Sequence, residues 1–92
     1  MAMQWLRKAA AQGGVAEQYA LGSAYWYGDR KFRDLVLAYA WLKLAAAQDG
    51  SYGETLSELE ARLTPTQRAA GGHLSSTWKK GDILQTSGDT SR

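Results

Sequence analysis

The chain has 92 residues, no cysteine, one histidine and a net charge of +2 at pH 7. That length supports one small domain with a modest core, and the lack of cysteine excludes disulfide staples, thiolate zinc sites and thiol catalysis. No apolar run reaches the roughly 18 residues that cross a bilayer, and the opening MAMQWLRKAAAQGG lacks the basic-then-apolar order of a signal peptide.

These features fit a cytoplasmic protein, although a processed exported form would read the same way. Ala is the commonest residue, while four Trp and five Tyr supply bulk. The balance favours closely packed helices with aromatic side chains filling the gaps.

An internal repeat governs the chain. AMQWLRKAAAQGG from Ala2 and AYAWLKLAAAQDG from Ala38 match at an offset of 36 residues. Trp5 pairs with Trp41, Leu6 with Leu42, Ala9 to Gln12 with Ala45 to Gln48, and Gly14 with Gly50. A period in the mid-thirties is that of a helix–turn–helix unit that stacks into a solenoid.

In chain order, a first helix is expected from Ala2 to Gln12, stopped by Gly13 and Gly14. A second runs from Val15 to Tyr27 and ends at Gly28. Gly22 inside it costs about 1 kcal/mol relative to Ala, which makes sense where a neighbouring helix comes very close. The loop Asp29 to Arg33 is charged except for Phe32, which is expected to fold back onto the helix pair. Asp34 is placed to cap a third helix that reaches Gln48 and stops at Gly50. Its buried stripe is Leu35, Ala38, Trp41, Leu42, Ala45 and Ala46.

Ser51 and Glu54 have capping-box spacing and predict a fourth helix to Leu63. Thr64, Pro65 and Gln67 are a second start signal, so a terminal helix is expected over 65–79. Leu74 and Trp78 pack on the preceding pair. The end, GDILQTSGDTSR, is small and polar, so 81–92 reads as a flexible tail on a domain spanning 1–80.

Leu21-Gly22, Tyr25, Gly28, Asp34, Ala38, Trp41, Ala45-Ala46 and Gly50 together resemble the Sel1-like repeat, a helical repeat related to tetratricopeptide repeats. The complete unit is 16–50, with half a repeat before it and a modified half after it. There Glu58 replaces the position of Gly22, and in the loop Arg30 stands where the family often has glycine. The resemblance implies an all-α fold of about five helices. These would be antiparallel helix–turn–helix repeats in a short right-handed solenoid with a role in protein–protein interaction.

In such stacks the first helix of each pair lines the concave face. The positions so implied are Ala16, Tyr19, Ser23, Trp26 and Tyr27, and 36 residues later Tyr52, Thr55, Leu59, Arg62 and Leu63. Aromatic groups with one cation at the edge suit a peptide or helix in a groove. The plainer reading is that Tyr19, Trp26 and Tyr52 pack on neighbouring helices. Trp5 and Trp41 are expected in the scaffold. The first helix lacks a partner of its own, so Trp5 and Leu6 have an uncovered side, which suggests a homodimer through that edge.

Catalytic chemistry finds no constellation. His73 has no companion ligands, Ser75, Ser76 and Thr77 lack a nucleophile context, and Glu54, Glu58 and Glu60 form a solvated helix face on which Glu58 can pair with Arg62. No metal, cofactor or catalytic residue is expected. The leading reading is a non-enzymatic module that holds a partner protein or peptide, as an adaptor or as an inhibitor of immunity type. The alternative is a nucleic-acid-binding or regulatory protein that uses the basic patch Arg7, Lys8, Arg30, Lys31 and Arg33. Aromatic residues interleave poorly with those charges, which disfavours nucleic acid.

Overall fold

The computed structural model describes residues 2–28 and 34–84, with side chains from residue 4 onward. Five helices are described: α1 (Ala2–Ala11), α2 (Val15–Tyr27), α3 (Leu35–Gln48), α4 (Gly53–Glu60) and α5 (Pro65–Thr77), with a 3-10 turn at Gly50–Tyr52 before α4. The architecture is all-α. Among the described residues no helix is long and apolar enough to cross a membrane.

Local chemistry explains most of the boundaries. The chain leaves α1 through Gly13, whose φ of 98° is open to glycine without strain. The Gly13 N–H donates to the Ala10 carbonyl and the Gly14 N–H to the Ala9 carbonyl, which together satisfy two of the last free carbonyls of the helix. Asp34 caps α3 by accepting from the Val36 and Leu37 N–H groups, both at 3.1 Å. Thr64 and Gln67 form a reciprocal capping box on α5, and Pro65 occupies the first turn.

The Ser51–Glu54 box does not form. The Ser51 N–H and hydroxyl both donate to the Asp49 carboxylate, so Asp49 caps a 3-10 turn and α4 starts later without a side-chain cap. The fourth helix is correspondingly short and ends at Glu60 rather than Leu63. Asp49 Oδ1 takes the Ser51 N–H that a capping box would give to Glu54, and the Ser51 hydroxyl donates to the same oxygen rather than accepting from the first turn of α4.

The centre of the molecule is α3. Leu37, Ala38, Tyr39, Ala40, Trp41 and Leu42 are consecutive and all buried, as expected for a helix surrounded on every side. It packs against α2, α4, α5 and the 3-10 turn. Antiparallel pairing of α1 with α2 is fixed by two links. The Gln18 amide donates to the Ala10 carbonyl at 3.1 Å, and Arg7 Nε donates to the Tyr25 hydroxyl at 3.2 Å.

The α2–α3 approach is close at Gly22, where a Cβ would lie 2.8 Å from Leu42 Cγ and 3.1 Å from the Ala38 carbonyl. A second close approach joins α3 to α5: a Cβ on Gly71 would lie 2.6 Å from the Tyr39 ring and 3.1 Å from the Val36 carbonyl. Gly71 faces 36–39 and Trp78 faces Trp41, so α5 runs in the same direction as α3. Two layers result, with α1, α3 and α5 in one and α2 and α4 in the other.

The packing does not stop at residue 80. The Gly81 N–H donates to the Ala11 carbonyl at 2.6 Å, the Trp78 indole N–H donates to the Asp82 carbonyl at 2.9 Å, and Leu84 joins the core. The segment 78–84 therefore straps the end of α5 to the end of α1. Residues 85–92, the rest of the expected tail, lie outside the described residues.

Candidate interaction face

The layer of α2 and α4 carries the positions implied for recognition. Tyr19, near the start of α2, stacks on Tyr52, which directly precedes α4, with ring centroids 4.5 Å apart and 18° between planes. Near the other end of α2, Trp26 and Tyr27 stack at 4.6 Å and 17°. Arg62, just beyond α4, lies at that end too, because it lines a cleft of about 370 Å³ with Trp26, Tyr27 and Leu35. Hence α2 and α4 run parallel, with the Tyr19–Tyr52 stack at one end of the face and the cleft beside Trp26 and Tyr27 at the other.

The individual side chains differ in availability. Tyr27 is 68 % exposed and Arg62 is exposed, whereas Trp26 is only 7 % exposed. Tyr19, Tyr52 and Thr55 are half-buried. Two other expected positions are turned inward. Leu59 is fully buried in the core and Leu63 nearly so, because α4 must present an apolar side to α3. The Ser23 hydroxyl is buried with no hydrogen-bond partner among the described residues. Leu35 lines the cleft although its place in the sequence suggested only the α3 core.

The expected Glu58–Arg62 pair is not formed. The Arg62 guanidinium makes no hydrogen bond or ion pair with any described residue. Glu60 is engaged elsewhere: the Tyr39 hydroxyl donates to it at 2.7 Å. Burial, reinforced by that carboxylate, pushes the Tyr39 phenol up to about 12. The Asp49 carboxyl is held below its ordinary value by the N–H and hydroxyl of Ser51.

The basic patch is not assembled among the described residues. Arg7 is tied to the Tyr25 hydroxyl and Lys8 is exposed, while Arg30, Lys31 and Arg33, with Phe32, lie outside the described residues. The hydroxyls of Ser75, Ser76 and Thr77 donate to carbonyls of their own helix, and His73 is exposed beside them. No group of three or more metal-ligating side chains occurs among the described residues.

A buried amide chain also escaped the sequence reading. Gln18 is fully buried, donates to the Ala10 carbonyl, and accepts at 2.8 Å from the Gln48 amide. The repeat supplied half the signal, since Gln48 stands 36 residues after Gln12, but nothing marked Gln18 as internal. On the opposite layer a cleft of about 410 Å³ lies between the ends of α1 and α3 and Trp78, with Lys80 among its lining residues.

The family model of the Sel1 repeat matches residues 1–14 and 18–50. Comparison with curated proteins and with solved structures gives no match.

Proposed function

This chain belongs to the Sel1 repeat family, and on that premise we propose that it is a non-enzymatic interaction module that grips a partner protein or peptide along the groove between α2 and α4. The observation that carries this reading is the pair of aromatic contacts at the two ends of the groove, Tyr19 with Tyr52 and Trp26 with Tyr27. Tyr19 and Tyr27 are eight residues apart on one helix, or about 12 Å at the helical rise. About four residues of extended chain span that distance. Aromatic side chains with an arginine nearby are the residue types that dominate binding energy at interfaces. The partner is held for assembly or is blocked, which makes the chain an adaptor or an inhibitor.

The test is differential capture from the native cell. Wild type should retain a partner that the Tyr19→Ala/Tyr27→Ala double variant loses, with helical circular dichroism unchanged and a Lys80→Ala control retaining it. Retention by the double variant rejects the groove as the binding face.

A second reading, self-association through α1, is favoured by Trp5, which is 63 % exposed. Two copies joined about a two-fold axis would cover each other's indole. Sedimentation should then show a dimer that Trp5→Ala converts to a monomer.

A further inference from the structure

The cleft at the end of α2 defines the chemistry of what the groove holds, and the following rests on the groove being the binding face. Its walls are the stacked rings of Trp26 and Tyr27 with Leu35, and among the described residues its one charged lining residue is Arg62. No acidic side chain of the described residues lines it. Glu60 is occupied by the Tyr39 hydroxyl, and Glu58, one turn before Arg62, does not pair with it. The guanidinium is therefore exposed and without a hydrogen bond or ion pair among the described residues. In the 36-residue register Arg62 occupies the place of Trp26, so the half-repeat that follows puts a cation where the complete repeat has an indole.

We infer that this cleft anchors a peptide segment in which a large apolar side chain is followed by an aspartate or glutamate. The rings and Leu35 take the apolar side chain, and the planar fork of Arg62 takes the carboxylate through paired N–H donors. The volume of about 370 Å³ is at the small end of ligand pockets, which run from roughly 300 to 1,000 Å³. It suits one or two side chains rather than a cofactor. An internal acidic residue fits better than a chain terminus. Terminal carboxylates are captured by backbone N–H groups, and the N–H groups of Val36 and Leu37, which follow Leu35 in the chain, already donate to Asp34.

Three probes decide it by proton–nitrogen NMR titration of the full chain: acetyl-Gly-Leu-Asp-Gly-amide, the same peptide with Asn for Asp, and acetyl-Gly-Asn-Leu with a free carboxyl end. The Leu-Asp probe should shift the Trp26 indole, the Tyr27 and Leu35 amides and the Arg62 Nε–H. Its affinity should fall at least about fivefold with Asn, by a similar factor in Arg62→Gln, and further as salt rises from about 0.02 M to about 0.3 M. Arg62→Gln removes an exposed, unpaired side chain, so unchanged circular dichroism and an unchanged Tyr19 amide position confirm that the variant is folded. Equal affinity for Asp and Asn, indifference to Arg62→Gln, tighter binding of the free carboxyl end, or no shift with any probe overturns the anchor. Shifts confined to Tyr19 and Tyr52 and independent of charge overturn the anchor alone. So does a captured partner that is lost in the Tyr19→Ala/Tyr27→Ala variant but kept by Arg62→Gln. Both leave the groove as the binding face.

Discussion

Trp5 and Trp41 sit in nearly identical local sequence, WLRKAAAQ and WLKLAAAQ, yet one is 63 % exposed and the other fully buried. The difference lies in their neighbours. Trp41 belongs to a helix packed on several sides and meets Trp78 edge-on, with centroids 6.3 Å apart. Trp5 belongs to α1, which packs against α2 and leaves the indole outside. A repeat transmits helix propensity and spacing faithfully, but burial is a property of the whole stack. The same tryptophan is core in one copy and surface in the other.

The sharpest way to break this comparison is to truncate both indoles. Trp41→Ala should cost about 3–5 kcal/mol, as for other large aromatic side chains removed from a core, whereas Trp5→Ala should change the stability of the monomer by no more than about 0.5 kcal/mol. Urea unfolding at low protein concentration measures both, and equal losses would contradict the contrast. Adjacent glycines of α5 offer a smaller version of it. Gly71→Ala forces a methyl against the Tyr39 ring and the Val36 backbone, while Gly72→Ala meets nothing within 4 Å. Overpacking outweighs the helix-propensity gain at the first, for a net loss of about 1 kcal/mol, and the second should stabilise by about 0.5–1 kcal/mol.

The mildest way to sharpen it is pH. Tyr39 ties α3 to α4 through Glu60 and its phenol is pushed up to about 12, from 10.0. The fold favours the protonated form, so this contribution is complete below pH 10 and is lost as pH rises through about 12. One of the five tyrosines should ionise late by ultraviolet absorbance. The urea midpoint should fall more steeply over that window in wild type than in Tyr39→Phe.

Much of the fold was legible because its signals are local. Asp34, Thr64 with Gln67 and the Gly13-Gly14 pair each act within one helix turn, and each works as its residue type suggests. Gly22 announced a close helix approach, since a helix tolerates glycine there only for a packing reason. What could not be read depends on competition or on distant partners. Asp49 took the Ser51 N–H that the capping box assigns to Glu54, and the Ser51 hydroxyl with it. Gly71 is the contact of α5 with α3, which nothing in its local sequence marks. On the candidate face, Tyr27 and Arg62 are exposed and Tyr19 and Tyr52 are half-buried in their stack. Leu59 is withdrawn from that face, because the turn of α4 that faces its own core is set by packing against α3 rather than by the 36-residue register.

The buried amide of Gln18 has a consequence for binding. It has one acceptor partner on α1 and one donor partner on α3, so a slide of either helix by one turn would strand a polar group in the interior at a cost of about 1–3 kcal/mol. Three helices are thereby locked in a single alignment by one side chain, and the next residue along is Tyr19. The aromatic platform of the groove thus stands beside a fixed pin. On the proposed binding face, a partner would therefore meet side chains held in place beforehand, with less ordering entropy to lose on association.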